Sequence, residues 1–394
     1  MSEYRRWRTA LSGRDLPCAA VDLDAFDANA KAILKRAGTL PIRIASKSLR
    51  CTALLKRLQA SDARFRGLMC FTAPEALWLS GQGFDDLLVA YPTTVPAHIA
   101  AVCVGIAAGK RIVLTVDSEA HLQQIAAIAA DHGAILPISV EIDMSLRLPG
   151  LNFGVWRSPV RDAQQLLHLA QKIDANPNLH LAGIMGYEAQ LAGVPDAAPT
   201  QRLQNPLVRL LKRVSKSVIA KRRAAMLQQL NARFDLDFIN AGGTGSLEFS
   251  ANEPGVTEVT AGSGFYCSHL FDGYQNFTHQ PAAFFALPVA RVPAPGMVTC
   301  LGGGYPASGA AGEDRLPIPW LPTGTKLSPL EGTGEVQTPL FYAGEDTLNL
   351  GDPVIFRHAK AGELCERFNT LLLVSGDEVV DEVATYRGEG QCFL

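Results

Sequence analysis

Along the first two thirds of the chain, hydrophobic positions gather into short runs separated by amphipathic stretches. The runs are PIRIASK (41–47), GLMCFT (67–72), DDLLVAYP (85–92), RIVLTVD (111–117), PISVEIDM (137–144), HLAGIMGYE (180–188), DFINAGGTG (237–245) and EVTAGSGFY (258–266). Between most of them lie segments with helical spacing, such as TALLKRLQ (52–59), PEALWLSGQ (74–82), SEAHLQQIAAIAADHG (118–133) and RDAQQLLHLAQKID (161–174). Strand-like runs alternating with amphipathic helices predict βα units around a parallel sheet. Eight such units predict a closed, eight-stranded parallel (β/α)8 TIM-type barrel rather than an open doubly wound sheet.

From about residue 280 the pattern changes. The segment 284–324 is rich in Pro and Gly and has no helical period, while DPVIFRHAKAG (352–362) and TLLLVSGDEVVDEVATYRG (370–388) read as short strands joined by turns. An all-β second domain follows. The expected division is 20–278 for the barrel, with 1–19 and 279–394 forming the β-rich domain.

Composition narrows the class. With 47% hydrophobic and 19% charged residues, the chain has the make-up of an ordinary globular protein. A net charge of −2 gives no reason to expect nucleic acid or an anionic membrane as partner. No apolar run approaches the roughly 18–20 residues needed to cross a bilayer. The start, MSEYRRWRTALSGRDLP, lacks the apolar core of a secretory signal. The eight cysteines are scattered without a CxxC pair, so a reduced, cytoplasmic protein is expected. One basic amphipathic stretch, VRLLKRVSKSVIAKRRAAM (208–226), reads as the solvated outer face of a barrel helix.

In a barrel of this kind the chemistry gathers at the C-terminal ends of the strands. Lys47 ends the first strand, Asp143 the fifth with Arg147 just after it, and Tyr187 and Glu188 the sixth. AGGTGS (241–246) follows the seventh strand, and GSGFY (262–266) ends the eighth. Glycines in these two adjacent loops let backbone N–H groups approach an anion closely, the usual place for a phosphate in a barrel. Gly242, Gly243, Gly245, Gly262 and Gly264 serve that purpose, with Thr244 and Ser246 adding hydroxyls. A lysine across the barrel mouth from such a cradle can form a Schiff base with a phosphate-anchored aldehyde, and partial burial would favour its reactive neutral form. Tight turns and surface cations use the same residues.

AVDLDAFDANAKAI (20–33) followed by IRIASK (42–47) resembles the opening of fold-type III pyridoxal-phosphate enzymes. Within these, the chain is most similar to the D-threonine aldolase and D-serine dehydratase branch and to the amino acid deaminase/aldolase group. The resemblance runs through EIDMSLR (141–147), LAGIMGYE (181–188), NAGGTGS (240–246), EVTAGSGFY (258–266), GGGYPASG (302–309), EGTGEVQTPL (331–340) and FRHAKAGELCERFN (356–369). It implies that pyridoxal 5′-phosphate is the cofactor and Lys47 its Schiff-base lysine and the base at the α-carbon. It also implies that Gly243, Thr244, Gly245, Gly262 and Ser263 hold the phosphate. Arg147 would lie near the pyridine ring or its 3′-oxygen, and Tyr187 and Tyr266 would line the pocket. In the related branch a His-x-Cys or His-x-Asp pair binds a divalent metal (Zn, Mn or Mg) at the substrate's β-hydroxyl. The matching candidates here, His358 and Cys365, stand seven residues apart instead of two.

The activity implied is that of a pyridoxal-phosphate-dependent lyase acting on D-β-hydroxy amino acids. Retro-aldol cleavage to glycine and an aldehyde comes first, and dehydration of the D-serine or D-hydroxyaspartate type is the alternative. An amino acid racemase and a non-catalytic cofactor-binding protein are further readings. A homodimer is expected by the same resemblance.

Overall fold

The computed structural model describes residues 2–394. Contacts divide the chain into two units: one holds residues up to Ala32, Ser48–Leu54 and Ser263–Cys392, and the other holds Ile33–Lys47, Leu55–Gly262 and the last two residues.

The second of these units is the barrel. Its strands are Ile42–Ala45, Phe65–Cys70, Leu87–Val89, Ile112–Val116, Leu136–Glu141, Leu179–Gly186, Phe238–Ala241 and Glu258–Ala261. They close in chain order, with the eighth pairing the first and the sixth pairing the seventh, all parallel. Each coincides with one of the eight apolar runs. Parallel strands are covered on both faces, so they read as near-continuous apolar runs rather than as alternation. Buried Val, Leu and Ile fill all of Ile112–Val116 except Thr115.

The barrel also holds a charge that the pattern did not announce. Arg43, 1% exposed, donates from Nε to Glu258 Oε1 at 2.7 Å and from Nη1 to the Asp86 carbonyl at 2.8 Å. Arg43 and Glu258 stand at the N-terminal ends of their strands, the end that stabilises such barrels. Gly67, at a φ of +69°, makes room for this ion pair, since a Cβ there would lie 2.6 Å from Arg43 Nη1.

The basic stretch lies within a helix, Asn205–Asn231. It is less solvated than expected. Lys212 is buried and paired with Asp196 at 3.2 Å, Arg222 caps the carbonyls of Asp143 and Ser145, and Arg223 is 1% exposed. Buried basic residues at helical spacing look like a solvated face until their acidic partners from other elements are known.

The other unit is a largely antiparallel sheet. Its strand order runs Thr325–Leu327, Gln337–Tyr342, Met297–Leu301, Ala283–Ala294, Cys18–Asp22, Thr370–Ser375, Glu378–Ala384. Pro353–Arg357 pairs both Ala283–Ala294 and Ile318–Leu321. A helix, Glu3–Ala10, capped by the Ser2 hydroxyl, sinks Tyr4 and Trp7 into a core with Phe284, Ile355, Leu372 and Val374. Trp7 meets Phe284 edge-on, ring centroids 5.0 Å apart. The strand Cys18–Asp22 straddles the boundary drawn at residue 20 from sequence. Its neighbours are Ala283–Ala286 and Leu372–Val374, far along the chain, so no local signal assigns it to this sheet.

All eight cysteines are free thiols. Among the described residues no helix is long and apolar enough to cross a membrane.

Candidate active site

Ile42–Ala45 ends in a single 3-10 turn, Ser46–Ser48, which carries Lys47 at the C-terminal end of the first barrel strand. The side chain is exposed rather than partly buried, and Nζ donates to the Tyr91 hydroxyl at 2.8 Å. Tyr91 follows the third strand. Its oxygen also accepts from Arg157 Nη2 at 3.4 Å. Burial pushes the Tyr91 hydroxyl up, but the Lys47 and Arg157 cations outweigh it and hold it below the usual phenol range.

Arg157 organises the rest of this group. Its guanidinium lies 5.2 Å from the Tyr91 ring centroid and 5.1 Å from that of Tyr187. Nη1 reaches Glu141 at 3.4 Å. Burial drives the Glu141 carboxyl up to about 7 against the pull of Arg157. Arg147 takes a different place. It is 40% exposed on the short ribbon Leu146–Leu148/Leu151–Phe153, 3.3 Å from Asp143 and 4.8 Å from the centroid of the Trp156 ring.

The glycine loop after the seventh strand rests on buried charge. Glu188, fully buried, accepts from Ser246 Oγ at 2.9 Å and from Ser250, and pairs with Arg223 at 2.9 Å. Arg223 also binds Glu253 and the Gly186 carbonyl. Gly243 N–H donates to Ser246 Oγ at 3.1 Å, and Arg36 grips the Thr244 carbonyl at 2.6 Å. A Cβ at Gly243 would lie 2.9 Å from both Ala192 Cβ and Tyr187 Cε2, so the loop backbone packs directly on the Tyr187 ring. Thr244 and Gly245 are buried beside it in sequence, and Gly262, just past the eighth strand, is buried as well. Burial drives the Tyr187 hydroxyl up to about 12.

In the β-rich unit, Ser263 Oγ lies 3.3 Å from Ser48 Oγ. Tyr266 is wholly buried, and its hydroxyl donates to the Leu49 carbonyl at 2.9 Å. Cys365 Sγ donates to the same carbonyl at 3.1 Å, and burial holds the thiol well above its ordinary range. His358, 5% exposed, places Nδ1 3.1 Å from the Ala283 carbonyl, so that nitrogen carries the proton. Its Nε2 is buried without a partner. Burial lowers the imidazole to about 3, which keeps it neutral.

The sequence-predicted residues other than Arg147 therefore fall into two groups, each within one unit. Lys47, Tyr187 and the Gly243 loop join through Tyr91 and Arg157, two residues the sequence reading missed. Tyr91 stands just past the end of a barrel strand, so the rule that singled out Lys47 also applies to it. Arg157 carried no such signal.

A model of the alanine racemase N-terminal domain matches residues 21–267. The chain belongs to that family. It is 28% identical over 291 residues to a D-threonine aldolase of an Arthrobacter species, a match covering 72% of this chain and 70% of that one. Among solved structures, D-threonine aldolase from Filomicrobium marinum has a TM-score of 0.76 at 20% identity, with 95% of each chain covered. D-threo-3-hydroxyaspartate dehydratase from Delftia sp. HT23 has a TM-score of 0.75 at 20% identity, covering 95% of this chain and 98% of that one. A dehydratase of that name has also been solved as a cysteine-to-alanine variant in the metal-free form. At such identity the structures show that the fold is shared.

Proposed function

We propose that this protein is a pyridoxal-phosphate-dependent lyase that cleaves D-β-hydroxy amino acids by a retro-aldol reaction, releasing glycine and an aldehyde. The observation that carries the reading is Lys47 at the C-terminal end of the first barrel strand, hydrogen-bonded to a tyrosine whose oxygen also accepts from Arg157. The curated relative is named for this class of reaction.

The residues fit the cofactor. An amine, a phenol and a guanidinium stand together, two of the three cationic, and a glycine loop with no room for a Cβ at Gly243 would offer its backbone to a phosphate. Lys47 would hold the cofactor's aldehyde carbon, with Gly243, Thr244, Gly245, Gly262 and Ser263 around its phosphate. Arg157 supplies positive charge beside Tyr91 and Tyr187, a place the resemblance gives to Arg147. When bound, pyridoxal phosphate supplies an electron sink for negative charge developing at the substrate's α-carbon.

The chain's own part is to orient and to move protons. Tyr91, its oxygen facing two cations, is suited to take a proton from Lys47 Nζ and to return it. Lys47 can then deliver a proton to the α-carbon after cleavage. The Glu188–Arg223–Glu253 cluster keeps the glycine loop in one shape beneath these events. A homodimer in the cytoplasm belongs to this reading by resemblance, and gel filtration with light scattering tests the dimer.

The deciding experiment is a D-amino acid panel on cofactor-loaded protein, scored for glycine, aldehyde, keto acid and inverted amino acid. D-Threonine should yield glycine and acetaldehyde in equal amounts. Keto acid with ammonia would make it a dehydratase, and inversion without cleavage a racemase. Retained cofactor with no turnover would overturn the catalytic reading.

A further inference from the structure

His358 and Cys365 do not make a metal site. The Cys365 proton goes to the Leu49 carbonyl, and burial opposes the thiolate that a metal needs. Among the described residues no three of His, Cys, Asp or Glu gather as a ligand set. The charge that calls for a ligand lies in the barrel unit.

Asp143, just past the fifth barrel strand, draws three arginines. Arg161 Nη1 and Arg147 Nη2 reach the same oxygen, Oδ2, at 2.6 and 3.3 Å. Arg222 Nη1 donates to the Asp143 carbonyl at 2.8 Å and to the Ser145 carbonyl at 3.1 Å. The three come from separate parts of this one unit: Arg147 from the strand Leu146–Leu148, Arg161 from the segment before the helix Ala163–Asp174, and Arg222 from the helix Asn205–Asn231.

One carboxylate cannot satisfy them. Its Oδ1 accepts from the Ser145 amide at 2.8 Å, and its Oδ2 also accepts from the Ser145 hydroxyl at 2.9 Å. A guanidinium carries five N–H donors. Among the described residues, each of these three hydrogen-bonds the protein through a single nitrogen. Three cations around one carboxylate leave a surplus of two positive charges. Glu141, two residues back, faces Arg157 instead. The helix that carries Arg222 brings no acid of its own, since the chain has no Asp or Glu between Asp196 and Asp235. Burial, and after it the charge of Arg161, pull the Arg222 guanidinium below its usual range; Asp143 opposes them and Arg147 adds to the depression.

Trp156 is a second feature of the same place. It is 75% exposed, and the Arg147 guanidinium lies 4.8 Å from its ring centroid. A tryptophan left so open beside fixed arginines is the combination that binding surfaces favour. Planar guanidiniums in a fixed setting suit oxyanions. A carboxylate would bring one charge and two oxygens. A phosphate monoester brings close to two charges and three free oxygens, which matches both the surplus and the number of arginines.

We infer that Arg147, Arg161 and Arg222 form a second anion site, sharing no residue with the glycine loops, that binds a phosphate dianion, with Trp156 as a flat surface for any group the phosphate carries. Inorganic phosphate and phosphate monoesters share this chemistry, and the test tells them apart.

Equilibrium dialysis of gel-filtered, cofactor-loaded protein against radiolabelled inorganic phosphate should show about one saturable equivalent beyond the cofactor's own phosphate. Arg161→Met should weaken that binding roughly ten- to a hundredfold, the worth of a charged hydrogen bond. Arg147→Met, on the exposed ribbon where folding is least at risk, should weaken it roughly tenfold. Neither change should alter the cofactor's visible absorption. Phenyl phosphate that competes better than inorganic phosphate, an advantage lost in Trp156→Ala, would support the site as one for a monoester. Equal competition would support it as one for phosphate itself. The inference is overturned if wild type binds no such equivalent, if acetate competes as well as phosphate, or if both arginine variants bind phosphate as wild type does. It stands apart from the lyase reading. Protein that takes up no pyridoxal phosphate, yet binds phosphate until Arg161 is replaced, would defeat that reading alone, and turnover without this binding would defeat the inference alone.

Discussion

Lys47 and Lys360 are both exposed, and each donates to a hydroxyl at nearly the same distance, 2.8 Å to Tyr91 and 2.7 Å to Ser308. What differs is the third party. Tyr91 is shared with the guanidinium of Arg157, whereas Ser308 is shared with the carboxylate of Glu363. A second cation beside an amine suits one that must react as a nucleophile. A carboxylate beside it suits one that must remain a fixed positive charge. One side chain thus serves two chemistries, and the neighbour of its neighbour decides which.

The widest test of that contrast is to remove each lysine in turn. Lys47→Ala should lower lyase turnover roughly a thousandfold or more and shift the visible absorption of the added cofactor, measured on protein of unchanged circular dichroism. Lys360→Met, in the β-rich unit, should leave the cofactor's absorption unchanged. Equal losses of both kinds in the two variants would erase the distinction.

Gly243→Ala comes next. Its Cβ would meet Ala192 and Tyr187 at 2.9 Å, so the loop must shift, and cofactor affinity should fall roughly tenfold, the lower end of an overpacking cost. The two arginines sharpen the Lys47 side. Arg157→Met should weaken cofactor binding by roughly tenfold while Arg147→Met stays within about twofold, read by equilibrium dialysis.

The smallest effect is one of pH. Glu141 ionises at about 7, so below that its neutral carboxyl leaves the charge of Arg157 available to an anion, and above it the carboxylate competes. Cofactor affinity should therefore fall a few-fold as pH rises through about 7, and Glu141→Gln should flatten the curve. Stability carries the same sign. The folded form holds this proton longer than an unfolded chain, so Glu141 costs stability progressively as pH rises from the ordinary glutamate range through about 7.

Much of this arrangement was legible before the structure. Barrel strands buried on both faces read as apolar runs, and the strand-end rule then reached Lys47 and the glycine loop without tertiary information. Arg157 escaped because it follows an irregular stretch and gains meaning only where it meets Tyr91, Tyr187 and Glu141, which lie on other strand ends. The cluster under the glycine loop escaped for a related reason. Arg223 lies in a run of basic residues at helical spacing, and only Glu188 and Glu253, from other elements, reveal it as buried. The spacing from His358 to Cys365 drew attention to the thiol, whereas the cavity beside His358 is lined by Lys360 and not by Cys365.

The strand Cys18–Asp22 has a consequence for how the chain comes to be folded. It lies in the interior of its sheet, hydrogen-bonded on one side to Ala283–Ala286 and on the other to Leu372–Val374. The whole barrel is thus spelled out between one strand and its neighbours. During synthesis that strand leaves the ribosome early and must wait, with both edges open, until nearly the entire chain has followed. The barrel can assemble from contacts between successive segments while the sheet closes last, over the longest loops in the molecule. Exposed edges of this kind recruit other strands, so the interval before closure is when the chain is most open to mispairing with another copy of itself.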